Sequence, residues 1–142
     1  MMNFAESMPI PMADALTEPY WSAAREHRLV IQRCTSCGTY RHLPNELCGN
    51  CQAPEHEWVE SAGRGTVFTF TIAGHPVHDA TATAVPYNVV IVELDDCGGV
   101  LVPSNVVECN PDDVVIGMGV EVVWDDINDD VAIPRFRRLA SG

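Results

Sequence analysis

Apolar and polar positions change their rhythm near residue 61 of the chain. Before it, Tyr20, Trp21, Ala24 and Leu29 fall roughly on one helical face, while Arg25, Glu26, His27 and Arg28 supply polar surface. Thr17 suits the N-cap, Pro19 is tolerated in the first turn, and Glu18 complements the positive end of the helix dipole. A helix is therefore predicted over residues 17–28, ending near His27–Arg28. Residues 1–16, with Met1, Met2, Pro9 and Pro11, read as an unpaired leader or an arm laid on a partner. Leu29-Val-Ile-Gln-Arg33 is a short strand, and Tyr40-Arg-His-Leu-Pro44 a strand or extended turn.

Beyond Trp58-Val-Glu-Ser61 the period becomes two. Gly63-Arg-Gly65 predicts a turn, and Thr66-Val-Phe-Thr-Phe-Thr-Ile72 alternates threonine with apolar groups as a half-buried strand does. Residues 73–86 read as a loop, and Tyr87–Leu94 as a strong strand ending in the hairpin turn Asp95-Asp-Cys-Gly-Gly99. Val100–Val107 is a third strand, broken by Pro103 and so placed at an edge or bulge. Asn110-Pro-Asp-Asp113 opens one helical turn. Glu121–Asp125 and Val131–Arg138 are the last two strands, joined by the acidic loop Asp126–Asp130. Five strands at these intervals predict a small Greek-key barrel of the OB type. The fold class expected is mainly β: an N-terminal helix (17–28), a metal ribbon (29–60) and a five-stranded OB-fold barrel (61–142).

Cysteine spacing gives the ribbon its reason to fold. Cys34-Thr-Ser-Cys37 and Cys48-Gly-Asn-Cys51 are two Cys-x-x-Cys pairs separated by ten residues. Four thiolates so paired close around one ion, the usual structural zinc arrangement. The gap is shorter than the commonest spacing of about 15–20 residues, so the intervening loop must be compact. Gly38 and Gly49, beside the ligand positions, suit tight turns at positive φ. Two disulfides, or four reduced core thiols, are the alternatives. The paired spacing favours metal, with zinc expected and iron able to use the same four sulfurs.

Charge narrows the function. Twenty Asp and Glu face eight Arg and no Lys, a net charge of -12 over 142 residues. Nucleic-acid affinity comes from cations set against phosphates, so this balance argues against DNA or RNA. It also removes lysine Schiff-base and P-loop chemistry. Neither a secretory signal pattern nor an apolar run of membrane-spanning length is present, so a cytoplasmic protein without membrane association is expected.

The pieces in order resemble the DUF35 OB-fold family. They are the Tyr-Trp helix, Leu-Val-Ile-Gln-Arg-Cys34, the two knuckles, Trp58-Val-Glu, Gly63-Arg-Gly-Thr-Val-Phe68 and Pro86-Tyr87. Val92-Glu-Leu94, Asn110-Pro-Asp-Asp-Val114, Ile116-Gly-Met-Gly-Val-Glu-Val122 and Pro134-Arg-Phe136 follow. The resemblance covers roughly residues 17–139. It implies a rubredoxin-like zinc ribbon with Cys34, Cys37, Cys48 and Cys51 as ligands, followed by an OB barrel. It also implies a noncatalytic accessory or scaffold subunit of a thiolase-fold large subunit (thiolase, acyltransferase or aldolase) acting on acyl-CoA. Some members are fused to hot-dog dehydratases or serve aldolases of steroid side-chain breakdown. Residues 73–86, with His75 and His78, and the lysine-free surface depart from the family pattern.

A CoA thioester carries phosphates, which directs attention to Arg135 and Arg137. On a strand these share one face, with Phe136 directed to the core. The competing reading is surface ion pairing within an acidic protein. Tyr20 and Trp21 are either core residues or a partner-docking patch. His75 and His78 lack a third ligand or a nucleophile nearby, His42 is redundant beside four cysteines, and Cys97 and Cys109 read as ordinary thiols. No nucleophile elbow, Walker or dinucleotide motif is present. A single-stranded nucleic-acid binder and a self-sufficient acyl-CoA hydrolase are the alternatives to the accessory subunit.

Overall fold

The computed structural model describes residues 1–140. One helix, α1 (Glu18–Arg25), precedes a three-stranded ribbon sheet of β1 (Val30–Cys34), β2 (Tyr40–Arg41) and β3 (His56–Glu60), ordered β2-β1-β3. The barrel follows with β4 (Arg64–Ala73), β5 (Tyr87–Leu94), β6 (Leu101–Ser104), β7 (Val106–Val107), β8 (Gly119–Asp126) and β9 (Ala132–Arg138). Its order is β6-β5-β4-β8-β9-β7. Every pairing is antiparallel except β7 with β9. The outermost strands β6 and β7 are separated in the chain by Asn105 alone, so the sheet must curl round until its two ends meet there.

The five expected strands are present, with the third divided in two. The division falls at Asn105 rather than Pro103. Pro103 stays in β6, opposite Ile91, because β6 is an edge strand whose outward side needs no N–H. Asn105 leaves the ladder to bond across the seam: its carbonyl accepts from Phe136 N at 3.0 Å and its amide donates to Asn88 O. Asn88 in turn grips Val106 at both ends, accepting from its N–H (2.7 Å) and donating to its carbonyl (2.8 Å).

β4 begins earlier than the turn expected at Gly63-Arg-Gly65. Only Gly63 turns; Arg64 and Gly65 already pair with β8, and a Cβ at Gly65 would lie 2.3 Å from Glu93 O. Glycine is needed there for backbone approach, not for a bend. A bulge between Val67 and Thr69 then shifts the phase of the strand, leaving Val67 in the core and Phe68 in solvent.

One core joins the parts. Phe136, Val67, Val90, Val92, Val102, Val106 and Val120 fill the barrel, and Tyr20, Ala23, Leu29 and Ile31 continue the same cluster towards the helix and ribbon. α1 ends at Arg25, short of the expected boundary, since His27 adopts φ 58°. That conformation stacks the His27 ring on Trp124, with centroids 5.5 Å apart, and sets Nε2 2.8 Å from Asp126 of β8. Asp96 clamps the ribbon–barrel junction by accepting from Ser61 Oγ (2.7 Å) and Ala62 N (2.8 Å).

The N-terminal arm lies on the chain's own barrel, correcting the unpaired leader. Ala5 N donates to Ala80 O at 2.9 Å, Asn3 exchanges two hydrogen bonds with Thr83, and the Phe4 ring meets Tyr87 edge-on.

Candidate metal centre and arginine seam

Two turns of like geometry present the cysteines. In the first, Gly38 N donates to Cys34 O and Cys34 N to Thr39 O; in the second, Gln52 N donates to Cys48 O and Cys48 N to Ala53 O. The residue after each second cysteine takes positive φ: Gly38 at 78° and Gln52 at 64°. Gly49 does not, contrary to expectation, because it lies inside its knuckle while Gln52 holds the position equivalent to Gly38.

The four Sγ atoms lie within 4.8 Å of one another, with Cys34–Cys51 and Cys37–Cys48 each at 3.6 Å. A tetrahedron with metal–sulfur bonds of about 2.3 Å has edges of about 3.8 Å, so the set fits one ion. The cysteines are free thiols, and the 3.6 Å sulfur–sulfur separations of Cys34–Cys51 and Cys37–Cys48 suit ligands around an ion rather than disulfides.

Surrounding dipoles favour thiolates. Cys37 N lies 3.5 Å from Cys34 Sγ, and Asn50 N 3.4 Å from Cys48 Sγ. Thr39 Oγ1 and Asn50 Nδ2 approach Cys37 Sγ, pulling its thiol down to about 5, with Thr39 contributing most. The Cys51 and Asn50 amides likewise lower Cys48. Although the Ala53 amide favours the Cys51 thiolate, the Cys34 and Cys37 sulfurs push that thiol up to about 11. Four thiolates at this spacing need a cation between them. Zinc would be held by Cys34, Cys37, Cys48 and Cys51, leaving no open coordination position for substrate or water.

The compact loop between the knuckles rests on a residue that spacing did not single out. Gln32, 1% exposed, accepts from Asn45 N at 2.7 Å and donates to Asn45 O at 3.2 Å. Arg41 reinforces it, donating from Nη2 to the same carbonyl and from Nε to Gln32 Oε1. His42 is no ligand; its ring lies 5.5 Å from that of Tyr20, and burial pulls its pKa down to about 4. Tyr20 is itself 7% exposed and part of the core. Its apolar ring is better buried than presented, so it does not form the docking patch, whereas Trp21 is half-buried at the edge of the core.

Arg135 and Arg137 lie two apart on β9, but their face already carries carboxylates. Register sets Arg135 opposite Val123 and Arg137 opposite Glu121. Arg135 is 8% exposed, donates from Nε to Asp125 at 3.2 Å and from Nη1 to Asn105 Oδ1. Burial lowers its pKa, and Asp125 opposes the change. Arg137 is exposed and donates to Glu121 at 3.0 Å. The structure thus gives both arginines the intramolecular partners of the ion-pair reading. Phe136 between them is fully buried, as expected. Among the described residues Arg64 and Arg138 make no ion pair.

His75 is exposed. His78 is spent locally, its Nδ1 accepting from Ala80 N at 3.0 Å to cap a short 3-10 turn. Cys97 is buried, which pushes its thiol up to about 11, and Cys109 is partly buried with its thiol also raised. No helix among the described residues is long and apolar enough to cross a membrane.

Comparisons with known proteins agree with this architecture. Residues 21–57 match the family model for the rubredoxin-like zinc ribbon domain of ChsH2, and residues 58–125 that for its C-terminal OB-fold domain. A DUF35 domain-containing scaffold protein of Methanocaldococcus jannaschii is 32% identical, the match covering 84% of each chain. A probable enoyl-CoA hydratase alpha subunit of Thermomonospora curvata is 39% identical over 83% of this chain, which spans only 36% of that relative. A solved structure described as the Ltp2-ChsH2(DUF35) aldolase superposes with TM-score 0.80 and 36% identity, covering 91% of this chain and 98% of the other. The chain belongs to the DUF35 family, with a ChsH2-type rubredoxin-like zinc ribbon followed by an OB-fold domain.

Proposed function

We propose that the chain is a noncatalytic accessory subunit that binds and stabilises a thiolase-fold large subunit acting on acyl-CoA. The observation that carries this reading is the likeness, over 98% of its length, to a chain of the Ltp2-ChsH2(DUF35) aldolase. The scaffold description of the Methanocaldococcus relative and the alpha-subunit description of the Thermomonospora relative point the same way. A metal centre closed by four sulfurs favours structure over catalysis. Trp21, half-buried on α1, and Leu43 and Leu47, exposed between the knuckles, are the apolar groups offered for docking. Any contact with CoA phosphates falls to arginines outside the Asp125 pair, since the Arg135 charge is largely buried and neutralised by that carboxylate.

Co-expression with a thiolase-fold protein encoded beside it tests the proposal. The two should purify together, and the large protein alone should lose activity or solubility. A large protein that is soluble and active alone and shows no measurable binding would contradict it.

A nucleic-acid role is disfavoured by the middle of the outer face of β4, β5 and β6. Thr69, Thr71, Val89, Ile91, Leu101 and Pro103 carry no cation there to hold a backbone, and only Arg64, at the start of β4, is basic.

A further inference from the structure

Between the N-terminal arm and the barrel lies a cleft of about 970 Å³, at the upper end of the range for small-molecule sites, about 300–1,000 Å³. Met8 lines it from the arm, and Phe4, edge-on against Tyr87, lines it together with Val89, Ile127 and Ile133. The arm is fastened to the barrel by hydrogen bonds at Asn3 and Ala5. Among the described residues Met8–Pro11 make no hydrogen bond to the barrel, so this side of the cleft is not pinned by one. The unbranched Met2 and Met8 suit such a surface.

The polar groups of the cleft select the occupant. Arg135 lines it, and its cation lies 6.0 Å from the Phe4 ring centroid. A guanidinium carries five N–H donors. Here Nε serves Asp125 and Nη1 serves Asn105, while Nη2 has no acceptor among the described residues. A largely buried side chain, 10% exposed, therefore keeps free donors at the edge of an apolar cleft. Asp125, which pairs with Arg135, Asp126, which lies 2.8 Å from His27, and Glu6 also line the cleft, so carboxylates outnumber the one guanidinium there. An anion would be repelled by the excess of carboxylates, whereas a neutral acceptor can take the open N–H groups without that charge repulsion.

We propose that the cleft between residues 2–11 and strands β5, β6 and β9 binds a neutral, mainly apolar molecule through a carbonyl oxygen that accepts from Arg135. The aliphatic body lies along Phe4, Tyr87 and Ile133. The site is contained in one chain and does not depend on the large-subunit assignment, so either reading can fail without the other.

Two probes of equal chain length test it by titration of amide and arginine Nε–H resonances in the intact, metal-loaded chain. 2-Undecanone should cause saturable shifts at Phe4, Tyr87, Ile133 and the Arg135 Nε–H. Undecanoate should bind at least tenfold more weakly. Ile133→Trp fills the cleft and should weaken ketone binding at least tenfold. Phe4→Ala, on the arm and outside the barrel core, should weaken it several-fold and serves if the first variant does not fold. Absence of saturable shifts with the ketone, equal affinity for the carboxylate, or unchanged binding in the folded variants would each overturn the proposal.

Discussion

The ribbon and the barrel solve the same problem with different means. The barrel closes on a continuous apolar interior in which Val90, Val92, Val120 and Phe136 are fully buried, and a polar seam through Asn88, Asn105 and Arg135 joins its ends. The ribbon buries Leu29, Val30 and Ile31 at its barrel end. Its far end exposes Leu43 and Leu47, and its order there rests on four sulfurs and the Gln32 clamp. A segment this short lacks the apolar area to hold itself, and an ion substitutes for a core. A metal would thus govern the ribbon, and burial governs the barrel.

Breaking the ribbon should have the largest effect. Cys34→Ser should abolish stoichiometric metal binding, read by elemental analysis of protein purified without chelator. Structural zinc contributes on the order of 10 kcal/mol or more in small zinc peptides. In the barrel, Phe136→Ala empties the centre of the core and should cost about 3–5 kcal/mol, measured by urea unfolding. Asp125→Ala leaves the Arg135 charge buried without its partner and should cost about 3 kcal/mol. Arg137→Ala removes a pair that is largely in water, and less than about 1 kcal/mol should be lost. The contrast between these two neighbouring ion pairs checks that it is the seam, not charge in general, that holds the barrel.

A smaller effect should appear with pH at the junction of helix and ribbon. Burial holds His42 at about 4 in the folded chain, below its ordinary 6.5. Between those values the unfolded chain binds a proton that the folded chain does not. Stability should therefore fall as pH drops from 6.5 towards 4. The ceiling is about 1.4 kcal/mol per pH unit. Urea midpoints at pH 7.0 and 5.5, with metal retained, should separate more for the wild type than for His42→Gln.

Local chemistry made much of this fold legible in advance. Paired cysteines read directly as ligands because coordination demands that spacing, and Tyr87–Leu94 matched its strand because alternation survives burial of one face. What was hidden depends on distant partners. Nothing near Asn105 signals a break; its side chain bonds Asn88, seventeen positions away. The Val-Phe pair in β4 does depart from strict alternation, and the bulge lies there. For Arg135 the sequence left phosphate binding and ion pairing both open, and only the β8 register shows Asp125 to be the partner. For residues 1–16 it left a leader or a partner-laid arm, and only the fold shows the 79–83 turn accepting them.

The division between an ion-held ribbon and a self-sufficient barrel can be tested in one measurement. An amide correlation spectrum of the purified chain is recorded before and after metal removal by a chelator. One ion per chain should be lost, the signals of Gln32, Arg41 and Asn45 should collapse to random-coil positions, and those of Val90, Val92 and Phe136 should persist. Intact ribbon signals without metal, or simultaneous loss of the barrel signals, would contradict it.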